Sequence, residues 1–237
     1  MSVLLLLLST VLLFVLGGAR AQDRSDPYRP PCQDARCGKI KAFLKSNVCG
    51  RSPFGKGPED GCDIQNLKHS NAAEVIADYV CDWAAAGKRS CKQQTMPSLE
   101  VRKALERELV RVGLPADAAG SRYFRVWRAK TAGWLLAEVY YFHRTSEHED
   151  LCQVIAVIGQ ASEVSVLREH GWTRTLLRSE GLVDWTPWTP AELADVDGDG
   201  QIDVVIKADA DENHWLEVFS RKKGVWATVF SGLGYFL

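Results

Sequence analysis

An α+β fold is predicted, with a disulfide-tied helical N-terminal part packed on a mostly antiparallel β-sheet C-terminal part. Three observations carry this. Six of the seven cysteines (Cys32, Cys37, Cys49, Cys62, Cys81, Cys91) fall within sixty residues of the N-terminal half. The clearest helical periodicity, over 98–112, follows directly after them. From residue 122 onward apolar residues alternate in short runs separated by turn signals, the pattern of strands joined as hairpins. The chain has 237 residues, 46% of them apolar and 25% charged, which is ordinary globular composition. A formal net charge of −1 gives no basic footprint for nucleic acid and no polybasic patch for a membrane surface.

Residues 3–16 form an apolar run too short to span a bilayer comfortably, and Gly17-Gly18 follow it. Ala19-Arg20-Ala21 supplies the small-x-small pattern of a signal peptidase site, so residues 1–21 read as a signal peptide cut before Gln22. No Lys or Arg precedes the apolar run, and a short signal anchor is the alternative. The expected location is secreted or periplasmic, with no membrane segment after cleavage. Seven cysteines suit that oxidising setting, and a zinc site is disfavoured because no CxxC pair or paired-histidine spacing occurs.

Residues 22–36 are polar and Pro-rich and read as a flexible leader. The Cys-rich helical region is set at 37–115. Gly38 to Val48 carries Ile40, Phe43 and Leu44 at helical spacing. A helix there holds Cys37 and Cys49 on the order of 18 Å apart, beyond the reach of a disulfide. Cys49 is therefore paired with Cys62 across a Gly/Pro-rich loop, Cys81 with Cys91 over a turn, and Cys37 with Cys152, leaving Cys32 free. Residues 72–86 fit a helix and an alternating strand almost equally; Ala84-Ala85-Ala86-Gly87, which resembles a helical end, tips the reading to helix. Over 98–112, Ser98 is placed as N-cap and Glu100 in the first turn. Val101, Ala104, Leu105, Leu109 and Val112 form one stripe, with Gly113 and Pro115 as the stop.

The β region is set at 122–237, with strands at 122–128, 134–142, 151–158, 163–168, 172–178, 202–207, 214–220 and 225–231. Residues 179–194 read as one long irregular connection. It runs into Asp195-Val196-Asp197-Gly198-Asp199-Gly200-Gln201-Ile202-Asp203. Carboxylates so close repel one another unless a hard cation lies between them, and Ca²⁺ with its 6–8 oxygen ligands and tolerance of irregular geometry is the natural occupant. The expected ligands are Asp195, Asp197, Asp199, Asp203 and the Gln201 carbonyl. An EF-hand is excluded, because its twelfth position is Ile206 where a bidentate Glu is needed, and because strand residues follow instead of a helix. D-x-D-G-D-G-x-x-D followed by apolar strand residues resembles the calcium loops of FG-GAP/VCBS-type repeats. The resemblance covers roughly 192–207, and a single copy excludes a multi-bladed propeller.

Two further constellations stand out. His143, Glu147, His148, Glu149 and Asp150 gather between two strands and offer ligands or acid/base groups, without the spacing of a helical metal motif. Trp185 and Trp188 lie in the connection beside the acidic loop, where exposed rings could stack on a glycan or a protein ligand. The favoured reading is a calcium-stabilised binding or structural module. The alternatives are a hydrolase using the 143–150 cluster and an inhibitor of secreted enzymes.

Overall fold

The computed structural model describes residues 35–49, 73–83, 89–95, 98–130, 132–176, 187–210 and 213–236. The signal and leader residues 1–34, and with them Cys32, lie outside that set, as do Cys62 and Trp185.

The first element is a helix, α1 (Ala35–Phe43), continued by a π-helical turn over Leu44–Val48. The amide of Cys49 closes that turn on the carbonyl of Leu44 at 2.8 Å. Cys37, Ile40, Leu44 and Val48 are buried at steps of three and four, which makes one apolar stripe. The start lies two residues inside the segment read as leader, so Arg36 belongs to α1.

Next come β1 (Ala73–Trp83) and β2 (Arg89–Thr95). The helix expected over 72–86 is thus a strand, and the helical region set at 37–115 contains a hairpin. Local sequence left the two periodicities tied, and long-range pairing decided between them. β1 is hydrogen-bonded on one side to β2 and on the other, along its whole length, to a later strand. The register sets Cys81 opposite Cys91, the adjacency a disulfide between them requires. Cys37 and Cys49 are both disulfide-bonded. Cys152, by contrast, is a free buried thiol, so the expected Cys37–Cys152 bridge does not exist.

Helix α2 (Leu99–Arg111) follows, with Ser98 as its N-cap accepting the Val101 amide at 3.3 Å. Val101, Ala104, Leu105 and Leu109 are its buried face. Arg111 pairs with Glu108 one turn back and reaches Glu169 on a neighbouring strand. Gly113 ends the helix at φ +108°, a left-handed conformation that glycine tolerates.

The remaining strands are β3 (Gly120–Ala129), β4 (Leu135–Arg144), β5 (His148–Ile158), β6 (Val164–Leu176), β7 (Trp188–Ala194), β8 (Asp203–Ala210), β9 (Asn213–Lys222) and β10 (Val225–Phe236). The two strands expected at 163–168 and 172–178 are one strand, β6. It runs through Gly171, where an added Cβ would lie 3.1 Å from the Val112 carbonyl at the end of α2. β7 falls inside the stretch read as irregular connection. Pro190 obscured it, yet a proline is tolerated there because β7 is an edge strand whose pairing shifts register beside it.

All pairings are antiparallel. One sheet has the order β2-β1-β3-β4-β5-β6 and the other β10-β9-β8-β7. Three apolar clusters stack these elements. Leu105 and Leu109 of α2 pack on Phe124, Val139 and Val154 of the larger sheet. The opposite face of that sheet, through Leu136, Ile155 and Val157, meets Val204, Ile206 and Phe219 of the smaller one. The far face of the smaller sheet, through Val205, Val218 and Phe230, receives α1. The layer order is therefore helix, sheet, sheet, helix. The expected helical part packed on a single sheet is replaced by two stacked antiparallel sheets, each with one short helix outside.

Polar groups also cross between the sheets. Gln153 on β5 donates to Glu138 and to the Trp188 carbonyl at 3.0 and 2.7 Å, and its amide oxygen accepts the Trp188 N–H at 3.2 Å. Arg168 on β6 reaches the fully buried Glu217 on β9 at 2.7 Å. Among the described residues, no helix is long and apolar enough to cross a membrane.

Candidate metal centre

Ala194 at the end of β7 and Asp203 at the start of β8 are paired, so residues 195–202 form the hairpin loop between two strands of the smaller sheet. Asp195 organises it. One carboxylate oxygen accepts the amides of Gly198 and Asp199 at 2.8 and 3.0 Å, and the other accepts Gly200 at 2.9 Å. Gly198 and Gly200 have φ of +75° and +85°. A Cβ would meet nothing within 4 Å at either position, so backbone conformation and not space requires glycine there. Asp197 accepts the amide of Asp199 at 3.1 Å, and Asp199 that of Gln201 at 2.9 Å.

Asp195, Asp197 and Asp203 each place a carboxylate oxygen within 4.8 Å of the others. Asp197 and Asp203 are buried; Asp199 and Gln201 are exposed and lie outside that trio. Three of the five expected ligands therefore converge. Asp203 is the deepest. It accepts the Val196 amide at 3.0 Å and the Ser220 hydroxyl, and burial pushes its carboxyl up to about 6.

Two participants were not foreseen. Arg36 of α1 donates from Nε to Asp197, and its Nη2 donates to Ser220 Oγ at 2.9 Å. Ser220, on β9, in turn donates to Asp203. Nothing local marks either residue: Arg36 sits beside a polar, Pro-rich stretch, and Ser220 is one hydroxyl in a strand. The result is a network running from α1 through β9 to the loop. Among the described residues, three converging carboxylates face one guanidinium, a balance of two negative charges, the charge of one divalent cation. The donors are all oxygen, the set that suits Ca²⁺.

The other sequence candidates are placed as follows. Trp188 is half-buried and packs against the core between the sheets, and its indole nitrogen is buried without a hydrogen-bond partner among the described residues. Asp209 on β8, near the acidic loop in sequence, pairs with Lys207 and His214 at 2.9 and 2.5 Å. Of the 143–150 cluster, His143, His148 and Asp150 converge, while Glu149 faces Arg144 at 3.8 Å. No protein-family model, curated protein or solved structure matches the chain.

Proposed function

We propose that this protein is an extracytoplasmic binding or structural module whose smaller sheet is stabilised by calcium at the β7–β8 loop. The observation that carries the reading is the convergence of Asp195, Asp197 and the fully buried Asp203, with a single guanidinium beside them among the described residues. Burying these carboxylates is costly unless the charge is met, and a divalent ion meets it with oxygen ligands. Water and a loop carbonyl such as that of Gln201 would complete the shell. The loop's position between two β-strands supports the likeness to FG-GAP/VCBS-type calcium loops, whose motif lies at 195–203 within the similar stretch of roughly 192–207. The disulfide-bonded Cys37 and Cys49 and the signal-like residues 1–21 support an oxidising compartment.

Lacking a bidentate Glu, the site is expected to be weak, with Kd of about 10⁻⁴–10⁻³ M as in extracellular modules. Isothermal titration of the metal-free protein with Ca²⁺ tests this. One saturable site is expected, lost in Asp195→Asn. Heat that never saturates, or equal binding by that variant, rejects the site.

A further inference from the structure

At the opposite sheet, the hairpin of β4 and β5 brings three ligand atoms of a different kind together. His143 and Asp150 are directly paired across the strands, and His148 precedes Asp150 by two residues, so alternation puts all three on one face. His143 Nδ1 and His148 Nε2 each lie 3.5 Å from the same oxygen, Asp150 Oδ2. All three atoms lie within 4.8 Å of one another. Bonds of about 2.1 Å to a tetrahedral ion separate neighbouring ligand atoms by about 3.4 Å. The two 3.5 Å separations thus have the length of tetrahedral edges, and are too long for good hydrogen bonds.

The surroundings hold each group in place. Asp150 is 2% exposed, and Arg174 on β6 grips both its oxygens from Nε and Nη2, at 2.7 and 3.0 Å. A carboxylate has about four acceptor positions, so this fork leaves Oδ2 able to bind further. The other nitrogen of His148, Nδ1, lies 3.1 Å from Thr145 Oγ1, which fixes the ring. His148 Nε2 is buried and, among the described residues, has no hydrogen-bond partner, although it faces the carboxylate. An unsatisfied buried nitrogen beside an anion is relieved by a cation between them. His143 remains partly open to solvent, which gives an ion its entry.

We propose that His143 Nδ1, His148 Nε2 and Asp150 Oδ2 bind a divalent transition-metal ion of the zinc class, separately from the acidic β7–β8 loop. Two imidazoles and one carboxylate select such an ion over Ca²⁺, which takes oxygen ligands. Three protein ligands leave a fourth position for water or an exogenous group.

The test is competitive zinc titration of the EDTA-stripped full chain against a chromophoric chelator, with millimolar Ca²⁺ present throughout. The expected result is one Zn²⁺ per chain, weakened about tenfold or more in His143→Ala and in His148→Ala, and unchanged in Asp195→Asn. Nitrogen-15 imidazole spectra of the wild-type chain give a readout that needs no variant. Zinc should shift two of the five histidines. Absence of stoichiometric binding, binding undiminished in both histidine variants, or a spectrum in which fewer than two rings move overturns the proposal.

Discussion

Asp203 shows what one residue does in this molecule. Its carboxyl is fully buried, and burial outweighs the hydrogen bonds from Ser220 and the Val196 amide, so its pKa rises to about 6. An unfolded Asp titrates near 3.9. The folded state therefore holds this proton more tightly, and the stability it contributes is complete below about pH 4 and lost as pH rises through about 6. The difference amounts to at most about 3 kcal/mol. Urea unfolding in EGTA at pH 4 and pH 7 should show that loss relative to Asp203→Asn. Identical pH dependence in the two proteins would contradict it. Cys152 gives a second outcome at this scale. Burial pushes its thiol up to about 12, so it should resist alkylation in the folded protein and react after unfolding. Rapid labelling under native conditions would show instead that the site opens. The sequence singled out the acidic loop, with its five expected ligands, because repulsion between neighbouring carboxylates is a local fact, although only Asp195, Asp197 and Asp203 converge. It could not single out Arg36 or Ser220, which reach the loop only through tertiary contact, across 161 residues in the case of Arg36 and Asp197.

At the scale of elements, α2 was legible because all its signals are local: a Ser98 cap, a stripe at steps of three and four, and a Gly/Pro stop. Its cap should be measurable. Ser98→Ala removes the acceptor of the Val101 amide and should cost about 1 kcal/mol in chemical denaturation. A change below a few tenths would mean that solvent replaces the cap. β1 was not legible, since Val75, Tyr79 and Trp83 serve a helical stripe and an alternating strand equally well. Pairing with β2 and β3 settles it, and pairing is not written in the segment itself. β7 was missed for the opposite reason. Pro190 argues against a strand locally, but an edge position with a register shift accommodates it. The β4–β5 hairpin shows a middle case: the residue types of a metal site were visible, while the cross-strand pairing of His143 with Asp150 that joins them was not.

For the whole molecule, the stacking of two sheets is what no single segment announces. The inner faces are joined by apolar contacts, by Trp134 set edge-on to Trp226 at 5.3 Å, and by the Arg168–Glu217 ion pair. Helix α1 lies against the outer face of the smaller sheet, and Arg36 links it to the acidic loop. Calcium in that loop would therefore secure the hairpin and, through Asp197 and Asp203, the contact with α1 and β9. A ligand at ten to a hundred times its Kd adds about 1.4–2.7 kcal/mol to the folded state. For a chain of this size that corresponds to a rise of roughly 3–10 °C in Tm. The deciding measurement is scanning calorimetry of the wild-type protein and Asp195→Asn at neutral pH, in 10 mM Ca²⁺ and in EGTA. A calcium-dependent rise of that size in the wild type and none in the variant is the predicted result; equal Tm in both buffers for the wild-type protein would contradict the account.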